Sequence, residues 1–339
     1  MYEYKIEPTK INKILCKMAA IVSTMSNVNA SNANATNAFE DTDIMPLFKM
    51  KMARIESSGS SHLQCDLTHS TTPIFYGSLC KQLDKRQDLG VHGKYENGYY
   101  IGAFDGHGTH KCIELMREFD YAKIAMNPLS IHNMIPQIGM FNSGSTMNFT
   151  TIQVEDEIIV TNYNAGDSEC MIFVNGELVF ESVTHSLNNP AEKIRIRPLL
   201  LDHRPTTGAW APIPLSATRM TVHRSDIANF NTGESLVPTM ALGHNNMTDF
   251  VPDIKTMRFK LTDHVRIVSG SDGFWGMIVK KLDEDKLKIL HLEDLVDFVE
   301  KRWKQEWEYA GDITKPDNIE RTHFPGYDDI TVCIWDNMY

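Results

Sequence analysis

The stretch Gly98-Tyr99-Tyr100-Ile101-Gly102-Ala103-Phe104-Asp105-Gly106-His107-Gly108 joins an apolar run to a short polar turn. Residues 98–104 have the continuous apolar character of a buried strand, and residues 112–119 beyond the turn have the pattern of a helix. We therefore expect the tetrapeptide Asp105-Gly106-His107-Gly108 to lie where a buried strand gives way to a helix. Side chains at the end of a buried strand can reach solvent while the strand holds their backbone in place.

This tetrapeptide has the composition of a cation site. An aspartate at the end of a strand can offer its carboxylate to a hard cation, and a following glycine lets the backbone carbonyl approach the same ion because no side chain intrudes. His107 would stand close enough to act on whatever the ion activates. Asp, Gly and His are also common in tight turns, so an ordinary turn is the alternative interpretation.

The length and charge of the chain restrict its class. Its 339 residues can bury a large core in one sizeable domain with an extension, or in two smaller domains. The 33 Lys and Arg residues against 44 Asp and Glu residues give a formal net charge of −11. This charge argues against a general nucleic-acid binder and is compatible with an enzyme that collects divalent cations. We find no membrane span and no targeting signal, and we expect a cytoplasmic or nuclear protein.

The first 45 residues differ from the rest of the chain. Residues 25–38 are a run of Asn, Ala, Ser and Thr, which cannot bury enough surface to offset the entropy lost on ordering. We predict a flexible Asn/Ala-rich extension over residues 1–45, in which residues 11–22 could form an amphipathic helix, and a main domain over residues 46–339. Residues 198–240, rich in Pro, Thr and Arg, are interpreted as an irregular insertion or lid within that domain.

The main domain has the pattern of a mixed helix and strand fold with antiparallel pairing. Asn175-Gly176 is the strongest two-residue hairpin signal in the chain. It lies within short β-branched and aromatic runs that predict an antiparallel meander at residues 147–154, 157–163, 169–174 and 177–183. Elsewhere we predict a strand at 74–80, a helix reaching about residue 126, a hairpin of 257–261 with 264–269, a long helix at 287–307 and a strand at 330–335.

Asp105 is one of three aspartates at predicted strand ends. Asp272 follows the strand at residues 264–269, and Asp328 precedes the last strand. If the fold brings these ends together, the carboxylates form a cation site. Oxygen ligands favour Mg²⁺ or Mn²⁺ over Zn²⁺, and the six scattered cysteines form no CxxC pair. The alternative is that these aspartates satisfy turn amides, as strand-end aspartates often do.

Six short motifs extend this pattern over residues 74 to 336. They are Gln87-Asp88, Phe104-Asp105-Gly106-His107-Gly108, Ser143-Gly144-Ser145-Thr146, Asn164-Ala165-Gly166-Asp167-Ser168, Ser271-Asp272-Gly273-Phe274-Trp275 and Asp328-Asp329-Ile330-Thr331-Val332. Two weaker motifs are Thr184-His185-Ser186 and Ala241-Leu242-Gly243-His244. In this order the motifs resemble those of the protein phosphatase 2C-like family of metal-dependent Ser/Thr phosphatases.

The resemblance implies a fold and a metal site. The implied fold is α+β, a four-layer α-β-β-α sandwich in which two antiparallel sheets pack face to face, with a dinuclear metal cleft at one edge. Asp105 would bridge two Mg²⁺ or Mn²⁺ ions while Gly106 lends its carbonyl to one of them. Asp272 and Asp328 would complete the other, and Asp167 resembles the family's acid associated with a weaker third ion.

The same resemblance implies hydrolysis of phosphoserine and phosphothreonine in proteins. Asp88, with Gln87, would orient waters at the ions, and a water would attack the phosphorus directly. His107 would be the general acid that protonates the leaving serine or threonine oxygen. The implied partners are phosphoprotein substrates rather than nucleic acid, and we expect a monomer.

The chain departs from the family pattern at Leu83, at Met240 and His244, and at Thr184, where the family has an aspartate. The family has an arginine five residues before the aspartate of its first motif, where it holds the substrate phosphate, and here that residue is Leu83. Lys81 and Lys85 share the strand parity of Leu83, whereas Arg86 would point the other way. Lys85 is our candidate for a weaker phosphate contact, because lysine lacks the bidentate fork of arginine. His244 likewise stands near a family aspartate, and these departures keep open an inactive pseudophosphatase that acts as a protein-binding module.

Overall fold

The computed structural model describes residues 62–66, 73–201, 219–220, 227–229, 234–248, 250–310 and 319–337. All of these residues belong to the unit Ile55–Met338. The predicted extension over residues 1–45 lies outside the described residues, so the domain boundaries stay predictions. None of the described helices is long and apolar enough to cross a membrane.

Two antiparallel sheets form the centre of the fold. Six strands make the first, in the spatial order β1 (His62–Asp66), β2 (Ile74–Lys81), β19 (Ile330–Asn337), β16 (Val265–Gly270), β9 (Glu169–Val174) and β10 (Glu177–Glu181). Five strands make the second, in the order β15 (Asp253–Lys260), β8 (Glu157–Ala165), β7 (Met147–Val154), β4 (Gly98–Phe104) and β3 (Leu89–Tyr95). We call them the six-stranded and the five-stranded sheet.

The two sheets pack face to face through alternate residues of their strands. On β4, Tyr99, Ile101 and Ala103 are buried between the sheets, whereas Phe104 packs on the opposite face. This alternation follows from the two-residue period of a strand, and it explains why a strand covered on both faces is apolar throughout. Trp335 of β19 is fully buried in the same interior.

Helices cover the outer face of each sheet. The five-stranded sheet is covered by α1 (Lys111–Arg117), α2 (Tyr121–Met126) and α3 (Ser130–Met134). The chain then forms α4 (Pro190–Leu201), and the six-stranded sheet is covered by α5 (Asp272–Trp275), α6 (Lys280–Ile289) and α7 (Leu292–Lys304). The predicted four-layer α-β-β-α sandwich is therefore confirmed.

Two predicted helices are each split in two. The helix expected to reach about residue 126 breaks after α1, and Asp120 caps α2 by accepting a hydrogen bond from the Lys123 N–H. The helix expected at residues 287–307 is divided between α6 and α7, because Leu290 and His291 have extended backbone. The apolar pattern continues across both breaks because the helices on either side pack on the same sheet.

Two predicted hairpin connections carry the chain from one sheet to the other. The expected meander divides at residues 166–168, because β8 belongs to the five-stranded sheet and β9 to the six-stranded sheet. The strands expected to pair at 257–261 and 264–269 are β15 and β16, which also lie in different sheets. Those two pairings are therefore wrong, whereas the Asn175-Gly176 hairpin between β9 and β10 is confirmed. Alternation identifies the buried face of a strand but not its partner.

Several short strands complete the fold. β5 (Gly106–Gly108) and β14 (Leu242–Gly243) pair on either side of β6 (Ser143–Ser145), so a strand, and not a helix, directly follows Asp105. Within residues 198–240, interpreted as irregular, the described residues include three short antiparallel strands. They are β11 (Arg219–Met220), β12 (Ile227–Asn229) and β13 (Glu234–Leu236); β17 (Trp307–Ala310) pairs with β18 (Ile319–Thr322) further on.

Candidate metal centre

Asp105 lies where β4 ends and β5 begins, and Thr146 holds both of its backbone polar groups. The Asp105 N–H donates to Thr146 Oγ1 at 3.0 Å, and the Thr146 N–H donates to the Asp105 carbonyl at 2.9 Å. The Thr146 hydroxyl is also 2.6 Å from the hydroxyl of Ser168, the neighbour of Asp167. Three motifs that are distant in the sequence therefore meet around one carboxylate, which is 3% exposed.

Gln87 ties the first motif to β5. The Gly106 N–H donates to the Gln87 carbonyl at 3.1 Å, and Gln87 Nε2 donates to the Gly108 carbonyl at 2.5 Å. These two bonds fix the segment that ends in Asp88. Asp88 is thereby brought beside Asp105, and it is 2% exposed.

Asp272 and Asp328 come close because Gly273 has no side chain. A Cβ on Gly273 would lie 2.0 Å from the Asp329 carbonyl oxygen and 3.0 Å from the Asp328 Cβ. Asp272 is the first residue of α5, shortly after β16, and Asp328 lies just before β19, the partner of β16. The pairing of these two antiparallel strands therefore brings both carboxylates to one edge of the six-stranded sheet.

Asp167 is positioned by the crossing between the two sheets. Gly166, which has a φ of 108°, turns the chain between β8 and β9. His185 is buried and supports this turn, because its N–H donates to the Gly166 carbonyl at 2.8 Å and its Nδ1 accepts the Gly166 N–H at 3.2 Å. The weak motif Thr184-His185-Ser186 thus supports the residue that precedes Asp167.

Burial, together with mutual repulsion, raises the pKa values of the carboxyl groups of Asp88, Asp105, Asp167 and Asp272. Burial raises the pKa of Asp105 to about 6, and repulsion from Asp328 adds to the effect. Burial raises the pKa of Asp167 to about 8, and repulsion from Asp272 and Asp105 adds to it. Burial and the charge of Asp105 also raise the pKa values of Asp88 and Asp272 well above the usual range. Such a group of like charges requires protons or a cation to offset the repulsion.

His107 belongs to the same cluster. Its Nε2 lies 3.5 Å from Asp105 Oδ2, and one nitrogen of His107 and one oxygen each of Asp105 and Asp167 lie within 4.8 Å of one another. Burial lowers the pKa of His107, although the charges of Asp167 and Asp272 oppose the shift. Neither ring nitrogen has a hydrogen-bond partner among the described residues. The imidazole is therefore placed to exchange a proton with a group bound at the carboxylates.

The donor atoms of this cluster fit a hard divalent cation. Asp88 Oδ2, Asp167 Oδ1 and Asp272 Oδ1 are buried and accept no hydrogen bond from the residues that the structure describes. Buried oxygens of this kind are unfavourable unless a cation or another partner satisfies them. Carboxylate and carbonyl oxygens are the ligands that Mg²⁺ and Mn²⁺ prefer. The residues that can hold such ions are Asp88, Asp105, Gly106 through its carbonyl, Asp167, Asp272 and Asp328.

Lys85 also contacts the cluster, but from a loop and not from the strand that we expected. β2 ends at Lys81 and residues 82–88 form a loop, so the strand parity assumed for this segment is wrong. Lys85 Nζ lies 2.7 Å from Asp328 Oδ2. Lys81 Nζ instead lies 2.5 Å from Glu300 on α7, which removes Lys81 from the candidates for a phosphate contact.

Asp329 is a positioning residue that the motifs did not single out. Its carboxylate, 1% exposed, accepts the backbone N–H groups of Leu83 and Gln87, each at 2.6 Å. Asp329 therefore holds the loop of residues 82–88 against the segment that carries Asp328. The adjacent pair of acids was visible in the sequence, but adjacency does not tell which of the two faces the cluster.

His244 is a further neighbour of the cluster that sequence reasoning did not assign. It is fully buried, and its ring centroid lies 5.8 Å from that of His107. His244, Asn245 and Asn246 all have positive φ, between 49° and 59°, which is unfavourable for residues other than glycine. This left-handed turn places an imidazole beside His107 near the position where the resemblance led us to expect an aspartate.

The chain is similar to solved structures of PPM-type Ser/Thr phosphatases. The S. agalactiae serine/threonine phosphatase is 19% identical, with 77% of this chain and 98% of that chain covered and a TM-score of 0.46. The phosphatase MsPP from Mycobacterium smegmatis, in complex with cacodylate, is 17% identical, with 78% and 98% covered and a TM-score of 0.43. The catalytic domain of the phosphatase PstP, in complex with two manganese ions, is 12% identical, with 78% and 97% covered and a TM-score of 0.43. No protein-family model and no curated protein matches the chain, so the fold and site described above rest on its own strands and contacts.

Proposed function

We propose that the protein is a phosphatase that hydrolyses phosphoserine and phosphothreonine in proteins and depends on Mg²⁺ or Mn²⁺. The proposal depends above all on one observation. Aspartates and His107 from distant parts of the chain converge, and three buried carboxylate oxygens accept no hydrogen bond from the described residues. Aspartates that only satisfied turn amides would not leave these oxygens unpaired.

The metal ligands of the proposed enzyme come from both sheets. Asp105 and the Gly106 carbonyl, together with Asp272 and Asp328, would hold two ions, and Asp167 would contribute to a weaker third. When bound, such ions lower the pKa of a water and offset negative charge on the phosphate. The contribution of the protein is to hold the carboxylates close together at the sheet edge, so that binding the ions relieves their repulsion.

Asp88 and Gln87 would orient the attacking water. Asp88 lies beside Asp105, and its Oδ2 can accept a hydrogen bond because no described residue donates to it. Gln87 keeps Asp88 in place through its bonds to Gly106 and Gly108.

His107 would deliver a proton to the serine or threonine oxygen that leaves. An alkoxide is a poor leaving group, so its protonation lowers the barrier for an alkyl phosphate. The short distance between His107 and Asp105, 3.5 Å, supports this role because it keeps the imidazole beside the phosphate that Asp105 and its ions would bind.

Metal-dependent phosphate release by the purified full-length chain tests the proposal. We expect release from an aryl phosphate and from a phosphothreonine peptide in the presence of Mn²⁺ or Mg²⁺, and none after chelation. Asp272→Asn should abolish this release, whereas Asp297→Asn, a matched change at an exposed position on α7, should preserve it. If the wild type binds no Mn²⁺ in a calorimetric titration and releases no phosphate, the proposal fails.

A protein-binding module without catalysis is the second candidate function. It is favoured by Leu83 at the position of the family's phosphate-binding arginine and by the contact of Lys85 with Asp328. Such a module would retain the fold and show no metal-dependent turnover on either substrate, so the same assay separates the two functions. The monomeric state and the cytoplasmic or nuclear location stay predictions from the sequence.

A further inference from the structure

Lys85 pairs with a carboxylate that the proposed function assigns to a metal ion. Its Nζ lies 2.7 Å from Asp328 Oδ2, and the side chain of Asp328 is 15% exposed while that of Lys85 is 50% exposed. The charge of Lys85 also acts on Asp105 and Asp272. Burial raises the pKa values of Asp105 and Asp272, and Lys85 opposes that rise at both. The ammonium therefore acts as a counter-ion for three of the proposed metal ligands.

The loop that carries Lys85 is anchored on both sides of it. Before Lys85, the Asp84 carboxylate accepts the Tyr327 N–H at 2.8 Å. After Lys85, the Gln87 N–H donates to the Asp329 carboxylate at 2.6 Å. Both anchors join the loop to the segment that contains Asp328, so the root of the lysine side chain is held at a fixed distance from this carboxylate.

Arg86 is kept out of the cluster by the backbone of the same loop. Its φ is 60°, a left-handed backbone conformation that residues other than glycine adopt infrequently. Arg86 is exposed, whereas Lys85 reaches Asp328. The loop therefore presents a single-point ammonium, and not a bidentate guanidinium, to the carboxylates.

Asp328 Oδ1 accepts the Asp329 N–H at 3.0 Å and Oδ2 pairs with Lys85, so a divalent cation and the ammonium compete for this carboxylate, because like charges a few ångströms apart repel. We propose that Lys85 is a tethered competitor of divalent cations: its ammonium holds Asp328 until a metal ion takes this carboxylate, and the released ammonium then binds the substrate phosphate. The inference rests on the proposed function, since it assumes that Asp328 is a metal ligand. It explains how a chain with Leu83 at the arginine position still supplies a cation to the phosphate.

Titration of the full-length protein with Mn²⁺ by calorimetry tests the first half of the inference. Lys85→Gln keeps a polar side chain of similar length and removes the competing charge. The Mn²⁺ ion that Asp328 would hold should therefore bind about tenfold more tightly, which is the effect of one charge-assisted hydrogen bond. Lys85→Arg should retain the wild-type affinity. Lys81→Gln is the matched control, because Lys81 pairs with Glu300 away from the cluster, and it should change nothing.

Binding of inorganic phosphate to the Mn²⁺-saturated protein tests the second half. Lys85→Gln should weaken this binding by about tenfold, for the same electrostatic reason, while Lys81→Gln leaves it unchanged. The same substitution is thus expected to tighten metal binding and to weaken phosphate binding. A merely structural role of Lys85 would weaken both, and that result would overturn the inference.

The outcomes separate this inference from the proposed function. If the wild type binds Mn²⁺ and releases phosphate, but Lys85→Gln binds Mn²⁺ no more tightly, only the inference about Lys85 is wrong. If neither the wild type nor Lys85→Gln binds Mn²⁺, both are wrong. If Lys85→Gln binds Mn²⁺ while the wild type does not, Lys85 blocks the site permanently, and the proposed exchange of Lys85 for a metal ion is wrong.

Discussion

Two groups of buried carboxylates in this molecule have opposite surroundings. Asp283 lies on α6 and is 1% exposed. It accepts hydrogen bonds from the Val279 N–H at 2.9 Å, from Lys286 at 2.9 Å and from Arg302 of α7 at 2.5 Å. Burial alone would raise its pKa, but the bonds from Lys286 and Arg302 outweigh burial and hold the pKa of Asp283 below the usual range. The negative charge of Asp283 is therefore compensated by neighbouring residues of the protein itself.

Asp336 on β19 is compensated in the same way. It lies 2.7 Å from His264 and 2.5 Å from Arg266, and these partners hold its pKa below the usual range despite burial. In the cluster around Asp105, the nearest neighbours of Asp105 and Asp272 include other carboxylates. Burial raises the pKa values of both, and repulsion from these neighbours raises them further. Buried acids with cationic partners, such as Asp283 and Asp336, thus stabilise the fold, whereas the proposed function assigns the mutually repelling acids to cation binding.

Exchanging one carboxylate of each group for an amide should separate the two roles most clearly. Asp105→Asn should lower metal-dependent phosphate release by about a thousandfold, because a group that stabilises charge in the reaction is lost. It should not lower the free energy of unfolding of the metal-free protein, because a repulsive charge is removed. Asp283→Asn should instead lower that free energy by about 3 kcal/mol, since Lys286 and Arg302 lose their charged partner, and it should leave turnover per folded molecule intact.

Urea denaturation in a chelating buffer measures the stability of both variants, and phosphate release measures their turnover. The contrast between the two groups would be refuted by Asp105→Asn destabilising the metal-free protein as much as Asp283→Asn does. It would also be refuted by full turnover in Asp105→Asn.

Replacing His107 tests whether its imidazole acts on the leaving group. His107→Ala should slow hydrolysis of a phosphothreonine peptide by about a hundredfold, because the leaving alkoxide needs a proton. Hydrolysis of an aryl phosphate, whose leaving group is already stable as an anion, should fall much less. Steady-state kinetics on both substrates provide the comparison, and an equal loss on the two would assign His107 a role other than general acid.

The pH dependence of stability should have opposite signs for the acids around Asp105 and for Asp283 and Asp336. This effect should be smaller than those of the substitutions above. In the metal-free protein, Asp105 and Asp167 have pKa values raised to about 6 and about 8 by burial and repulsion, against roughly 4 for an unfolded aspartate. Their contribution to stability is therefore complete below about pH 4 and is lost as the pH rises through both folded-state values. Asp283 and Asp336, with lowered pKa values, contribute above about pH 4 and lose that contribution as the pH falls.

Urea denaturation of the chelated protein between about pH 5 and pH 8 measures this balance. We expect stability to decline toward the upper end, and Asp167→Asn should flatten the decline because it removes a carboxyl group whose pKa, raised to about 8 by burial, lies at the top of that range. Saturating Mn²⁺ should abolish the decline, since the ions replace protons as the compensating charge. A rise in stability of the chelated wild type toward pH 8 would contradict the expectation.

Much of the fold and the cluster is visible in the sequence because it depends on local patterns. The apolar run before Asp105 predicts a strand buried on both faces, and β4 is such a strand. Asp-Gly pairs at strand ends mark Asp105 and Asp272, and both lie in the cluster. Strand periodicity and turn chemistry extend over a few residues, so a sequence reports them directly.

The pairings between strands were harder to predict from the sequence. The sequence pattern predicted β15 with β16 as a hairpin, but the chain crosses between sheets there, as it does before Asp167. A strand covered on both faces has the same apolar pattern whichever sheet it joins, so periodicity cannot choose its neighbour.

The sequence by itself therefore determined most of the long strands, the Asn175-Gly176 turn and the set of acids that could bind a cation. Only the tertiary structure decided which of them meet: Asp329 anchors the loop, whereas its neighbour Asp328 faces Lys85. The physical reason is that hydrogen bonds and charge pairs act over a few ångströms between residues more than two hundred positions apart, and these distances depend on the pairing of β2 with β19 in the six-stranded sheet.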